Sequence, residues 1–491
     1  MYRKRDRKKE LARRTLVYAV MTLSMIGLVI TVMFNVMGYR LDLTTRTVEQ
    51  TGLVQFDSFP KGARVAVDGE DIGTTYAKTT ASPGQRQFSM KLKGYEPWQK
   101  TLDIRSGTVT FLDYARLVPS ERRVTDVWTT TGLAATLFAP DGRSVVGLRI
   151  QQDKPVVIWG DLRDTTEFKV WQQPLETAVA DTYGETQAHR WQLHQWDSGS
   201  RYVVLRHQYT QAGAAAQQWL LLDRDKPDEM VDISKLTGLR LQDVRLVGTS
   251  GRELYGLQVD GSLRHIDLGS VAISGPIVRH VESFALHDND LLVYVARTEQ
   301  SRVVGVWKKG WSNGRMVQRL RAEQLTIPVQ ARVSRYFNRD AVAVAAGDMV
   351  TVYYGALNDD DTAFSTLLAS AKKLAINRPV SDLSFSSNGR FVVARQAAGF
   401  VSYDLERQTV SREVKVTAGR PLAWLDGFHV WHIDAAGMMV MQEFDGMNEQ
   451  PLLEASPEFT AALSADGKWL YGWQRRADGS VVLRRLAMTL P

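Results

Sequence analysis

Cysteine is absent from all 491 residues. That excludes disulfides, thiol nucleophiles and thiolate metal sites. A large fold outside a reducing compartment would then be held by core burial alone. Other fingerprints of chemistry are also missing. There is no phosphate-cradling Walker loop, no Gly-x-Gly-x-x-Gly turn and no His-Glu-x-x-His helix. Helical periodicity is scarce, with Ala363 to Leu374 as the one short helical candidate in the C-terminal two-thirds. Long apolar runs are scarce too, and the single exception decides the topology.

That exception is Thr15 to Met37, which carries no charge. At 1.5 Å per residue it is long enough to cross the roughly 30 Å hydrocarbon core. The alternatives are a buried core helix, which rarely stays apolar on every face, and a cleaved signal peptide. A signal peptide has a shorter apolar core and a small-residue cleavage site, and Phe34-Asn35-Val36-Met37 offers none. The net charge of +7 sits beside this run. Residues 1–14 hold eight basic residues against two acidic ones, which accounts for all but one of the net charges. A nucleic-acid binder would spread that charge over a folded face. The positive-inside rule puts the tail in the cytoplasm and the bulk outside. The expected division is a basic tail at 1–14, a transmembrane signal anchor at 15–37 and a linker at 38–51.

From residue 52 the pattern becomes β. Leu53 to Phe56 and Arg64 to Val67 alternate, and Asp68-Gly69 is a hairpin signal. The ordered set Pro60, Gly62-Ala63, Val65, Val67-Asp68-Gly69, Gly73-Thr74, Pro83-Gly84, Gly94-Tyr95 and Trp98 resembles the PEGA domain, over residues 52–118. Lys61 replaces the Glu that names the family, and Tyr76 stands where the Gly-x-Thr-Pro step has proline. The turn needs Pro and Gly for their backbone angles, so the fold is expected to persist. The resemblance implies a small β-sandwich on an envelope protein of bacterial type, with structural motif residues and no enzymatic role. Tyr76, Tyr95 and Trp98 are either core packing or a sugar-stacking platform.

The rest, 124–491, repeats one phrase: an apolar residue, an Asp, Asn or Ser turn with Gly, a basic or polar residue, then β-formers. It reads Phe138 to Val146, Trp196 to Val204, Gly248 to Tyr255, Phe385 to Val393 and Leu463 to Tyr471, with degenerate copies near His287 and Phe337. Spacing of about 40–60 residues suits one four-stranded blade. A later strand ends in aspartate, as at Asp223, Asp267 and Asp404. The phrase resembles TolB-like and WD40-like repeats, which implies a β-propeller of seven or eight blades. Two stacked sandwiches are the alternative.

His429 and His432 are three apart in a strand-like run and therefore point to opposite faces; His189 and His194 flank Trp191 with mismatched parity. Asn358 to Thr362 is acidic but lacks calcium-loop spacing. Trp159, Trp171, Trp191, Trp196, Trp219, Trp307 and Trp311 are candidates for a binding face or for blade packing. The expected fold is all-β behind one N-terminal transmembrane helix, with a PEGA-like sandwich and a propeller. The expected role is a membrane-anchored extracytoplasmic binding or scaffold protein, not an enzyme. Its expected partners are the membrane and either cell-wall polysaccharide or an envelope protein, with no nucleic acid. No cofactor and no catalytic, cofactor-binding or metal residues are assigned. The alternatives are a polysaccharide-active propeller hydrolase or lyase, and an envelope or secretion assembly factor.

Overall fold

The computed structural model describes residues 7–36, 39–42, 47–151, 154–175, 186–299, 301–320, 325–358 and 360–490. Two compact units emerge: residues 1–121 with 490–491, and residues 122–489.

Helix α1 runs Arg7–Val36. It begins eight residues before the apolar run, so part of the basic tail is helical. Leu11–Phe34, 24 residues of mean hydropathy 2.3, is long and apolar enough to cross a membrane. Every side chain over that stretch is exposed. Its threonine hydroxyls are satisfied internally: those of Thr15, Thr22 and Thr31 donate to the carbonyls of Leu11, Tyr18 and Gly27. That is the arrangement a helix needs where no water is available. Within the expected linker, Tyr39–Asp42 and Thr47–Gln50 pair as a small antiparallel hairpin.

The following module is a sandwich of a three-stranded and a four-stranded sheet. Gly52–Phe59 is central in the first, pairing antiparallel with Ala77–Ala81 and parallel with Val109–Arg116. Arg64–Val67 and Gly84–Lys91 are central in the second. Alternation puts Val54, Phe56, Leu112 and Tyr114 of one sheet inside against Val65, Phe88, Met90 and Trp98 of the other. Phe56 meets Phe88 at 5.8 Å between ring centres, and Trp98 meets Tyr114 edge-on at 6.2 Å. The Asp68-Gly69 turn has both φ angles positive, 51° and 89°, as a two-residue hairpin loop requires.

Among the described residues the second unit holds eight antiparallel sheets of four strands, one with an extra short strand. Blades 1 to 7 span 133–174, 186–232, 241–273, 281–319, 329–375, 382–415 and 422–454. Blade 8 is made of Ala462–Leu463, Trp469–Arg475 and Val481–Ala487, and its outer strand is Val124–Thr130 from the start of the unit. Leu133, Val145 and Ile158 of blade 1 pack on Tyr471, Trp473 and Leu483 of blade 8, so the ring is closed. The blade number is thus eight, and the arrangement is a propeller rather than stacked sandwiches.

Second strands such as Leu291–Arg297 and Arg339–Ala346 are buried along nearly their whole length. Both their faces are covered by neighbouring blades, which is why they read as continuous apolar runs rather than alternation. Each fully buried Val or Leu contributes about 1.5–3 kcal/mol relative to exposure. Helix α2 (Ile233–Thr237) joins blades 2 and 3, and helix α3 (Asp361–Ala369) is inserted in blade 5. The expected helix at 363–374 is therefore shorter and starts earlier. Lys372–Ala375 is the outer strand of that blade, because Val350 and Val352 need an edge partner.

Candidate functional site

The repeated phrase is a hydrogen-bonded turn. In blade 6, Asn388 Oδ1 accepts from Arg390 N at 3.1 Å and from the Ser386 hydroxyl at 2.7 Å, and Phe391 N donates to Ser386 Oγ at 3.0 Å. Blade 8 repeats this with Asp466, Lys468, Ser464 and Trp469. Blade 7 uses Asp426, which accepts from Phe428 N and His429 N at 2.8 Å. The repeat reading overlooked this copy. Its Asp-Gly is followed by Phe-His instead of a basic residue, but the doubled gap between the phrases at 385 and 463 marks its place.

Two of the strand-end aspartates, Asp223 and Asp404, are partners of turn arginines, while Asp267 accepts from Gly269 N and from Ser270. Arg390 makes two bonds to Asp404, at 3.0 and 2.7 Å, with both side chains buried. Arg201 does the same with Asp223, at 2.8 and 2.6 Å. Burial opposes the charge on Arg390, but its bonds to Asp404 prevail and raise its pKa above the ordinary value. Asp223 is raised by burial and lowered by Arg201, and ends below the ordinary carboxylate range.

These turns link successive blades at one end of the ring. Asp141 N donates to Ser200 Oγ at 3.1 Å, Ser198 Oγ to Gly248 O at 2.8 Å, and Gly248 N to Asn289 Oδ1 at 2.6 Å. Arg335 then meets Asp288 at 3.8 Å. One position breaks the turn chemistry. Phe337 is 79% exposed and has a φ of 51°, where blades 2 and 4 carry Ser200 and Asp288.

The innermost strands bring together a polar set that the sequence reading did not single out. Asp243 and Arg245 of blade 3 pair at 3.1 Å, and His194 of blade 2 lies 3.1 Å from Asp243 and 2.6 Å from Arg245. Arg332 of blade 5 faces Asp382 of blade 6 at 3.6 Å. Burial holds Arg332 below the ordinary arginine value, Asp382 opposes this, and the positive charge of Arg245 adds to the depression. Blades 3 and 5 are not neighbours, and both arginines sit on the innermost strands of their blades. The set is charge-balanced and half-exposed. Chemically it suits recognition of a charged or zwitterionic group. No sequence signal separates these residues from other strand charges, because innermost position is a property of blade order.

The other candidates resolve as follows. His429 Nδ1 bonds Asp426 at 2.9 Å, while His432 lies on the opposite face of its strand. His189 is paired with His207 at 2.9 Å, and His194 belongs to the inner-strand set. In the acidic run, Asp360 caps helix α3 by accepting from Thr362 N, and Asp361 pairs with Arg315 at 3.4 Å; Asp359 lies outside the described residues. Among the described residues no group of three or more His, Asp or Glu is arranged to hold a metal ion. A Gly-x-Ser-x-Gly string does occur, at Gly310 to Gly314. It connects two strands of blade 4, not a strand to a helix as a nucleophile elbow requires. All thirteen tryptophans are buried or half-buried. Trp159, Trp196, Trp219 and Trp307 donate their indole N–H to Gln173, Leu137, Leu241 and Trp311 between or within blades.

In the N-terminal module the aromatic trio does not form a platform. Trp98 is core, Tyr95 is half-buried with its hydroxyl accepting from Leu490 N at 2.7 Å, and Tyr76 alone is exposed, at 52%. Lys78, Gln55, Val109 and Phe111 share the outer side of the three-stranded sheet, and Tyr76 precedes its edge strand beside Lys78. Lys78 Nζ lies 5.3 Å from the Tyr76 ring centre.

These features define an all-β chain of two modules behind one apolar helix. Residues 51–119 match the PEGA domain family. Among solved structures, the crystal structure of the Myceliophteria thermophila Cps50 (Swd1) β-propeller domain is similar, at 10% sequence identity and a TM-score of 0.38, covering 74% of this chain and 99% of that one. No curated protein matches the chain.

Proposed function

We propose that the protein is a single-pass, membrane-anchored binding or scaffold protein whose two β-modules work outside the cytoplasm. The observation that carries this is helix α1, whose 24-residue apolar stretch exposes every side chain while bonding its threonine hydroxyls internally. In this reading the basic tail stays in the cytoplasm, because translocating it is disfavoured.

The PEGA module is the contact for cell-envelope carbohydrate or a neighbouring protein, through the outer sheet side with Tyr76, Lys78, Gln55 and Phe111. The propeller receives a protein partner at its innermost strands, where Arg245, Arg332, Asp243 and Asp382 supply charges of both signs. Loops and strand ends that converge at the ring centre are where propellers of this architecture present binding groups. The test is co-sedimentation of the full chain, in lipid nanodiscs, with purified cell-wall polysaccharide. Pelleting that is lost in Tyr76→Ala/Phe111→Ala supports the module as the contact. Equal pelleting of wild type and variant removes that assignment, and no pelleting at all removes carbohydrate as the partner.

A further inference from the structure

In blade 7, Val430 stands opposite Gln442 and His432 opposite Val440, so these four side chains share one face. Val430 packs on Val393 and Phe400 of blade 6, which turns this face toward that blade. His432 is 6% exposed and Gln442 1%. Neither ring nitrogen of His432 has a hydrogen-bond partner, and neither does the amide nitrogen or oxygen of Gln442. Buried polar atoms are almost always bonded to protein or to ordered water.

The chemistry of the two groups defines what fits between them. Burial pulls the His432 ring below its ordinary pKa, with Glu449, Asp434 and the backbone of Ile433 opposing, which favours the neutral ring. A neutral imidazole offers one donor and one acceptor, and a carboxamide offers two donors and an acceptor. A bridging group must therefore both donate and accept, and must carry no charge. Residues set diagonally on adjacent strands lie about 7–8 Å apart, a gap that one or two waters span. Val393, Phe391 and Phe400 surround the pair, and the one charged side chain on their face of the strand, Arg395, is bonded to the carbonyl of Arg420. Blade 6 turns Ser402 to the same seam, since it stands opposite Val393.

We propose that the seam between blades 6 and 7 is a binding site for one or two internal water molecules, held by His432 and Gln442. The bound water completes the polar groups and fixes the register of the two blades. The apolar part of this seam is Phe391, Val393, Phe400, Val430 and Val440, all buried, and a polar link among them adds specificity to their packing.

A crystal structure of the full chain, at a resolution that shows ordered water, tests this directly. The expected result is density within hydrogen-bond distance of a His432 ring nitrogen and of the Gln442 amide. A dry seam with the two side chains bonded to each other or to other protein groups would overturn the proposal, as would an ion or a larger molecule there. Water-oxygen relaxation dispersion gives a second reading in solution. The full chain should lose one or two long-lived waters in His432→Phe/Gln442→Leu, and an unchanged count in a folded variant would contradict the assignment. Should that variant not fold, the wild-type structure alone decides.

Discussion

Thr75 Oγ1 lies 2.9 Å from the backbone nitrogen of Gly62 and 3.1 Å from that of Ala63, and accepts a hydrogen bond from each. The Ser58 hydroxyl donates to Pro60 O at 2.7 Å, so the Thr75 proton goes to Ser58 Oγ, 2.8 Å away. One threonine thus holds both ends of the Pro-Lys-Gly-Ala turn. Lys61, which departs from the family spelling, takes no part in this network and is exposed. Thr75→Val should leave the buried Ala63 N–H unpaired and turn the exposed Gly62 N–H to water, at a cost of about 1–3 kcal/mol. Thr75→Ser, which keeps the hydroxyl, should cost about 1 kcal/mol or less. Urea unfolding of the two variants checks the difference.

The buried Arg390–Asp404 pair gives a second prediction. Asp404 also accepts from the backbone of Glu406 and Arg407. Asp404→Ala leaves the buried guanidinium with Glu406 as its remaining carboxylate partner and should destabilise by about 2–4 kcal/mol, whereas Arg390→Met/Asp404→Leu should lose much less. A double-mutant cycle by chemical denaturation separates the two outcomes.

A pH dependence follows from His207. It is fully buried, stacked on Trp191 with ring centres 3.7 Å apart, and bonded to Gln218 and His189. Burial first, and His189 second, lower its pKa from 6.5 to about 3. The folded state keeps the ring neutral, while the unfolded state takes up a proton below pH 6.5. Its contribution is complete above pH 6.5 and is lost as pH falls toward 3, at up to about 1.4 kcal/mol per pH unit. His207→Gln should flatten the fall in urea midpoint between pH 7 and 4.5. An unchanged slope would assign the acid sensitivity elsewhere.

Two glycines should respond differently to the same change. Gly389 has a φ of 75°, and a Cβ there would collide with the carbonyl of Arg335 in blade 5. Gly419 has a φ of 70° but open space around it. Gly419→Ala should cost about 1 kcal/mol, the backbone effect alone. Gly389→Ala should cost clearly more, because two blades must separate. Thermal unfolding compares them.

The legible part of the architecture was local. Asp-Gly and Asn-Gly turns, strand-end aspartates and the PEGA signature announce themselves because each is a contiguous string whose backbone angles need those residues. Blade 7 was hidden because Phe428-His429 follows its turn, and blades 4 and 5 showed only as degenerate copies because Asp288 and Phe337 replace glycine at the left-handed position. Partnerships were hidden for a different reason. Arg390 and Asp404 are 14 residues apart at the ends of two paired strands of one blade, and Arg332 and Asp382 are on separate blades, so blade formation joins the first pair and packing of neighbouring blades the second. The hairpin at 39–50 was masked by its polar composition, and the start of helix α1 by reading only its apolar part.

The absence of cysteine makes the central claim easy to test, because any introduced thiol is unique. In sealed cells, a membrane-impermeant maleimide should label Glu299→Cys in the propeller from outside. It should label Lys4→Cys in the tail only after lysis. Labelling of Lys4→Cys from outside, or of neither site until lysis, would contradict the anchored, extracytoplasmic arrangement. Loss of the tail thiol from the mature chain would turn helix α1 into a cleaved signal.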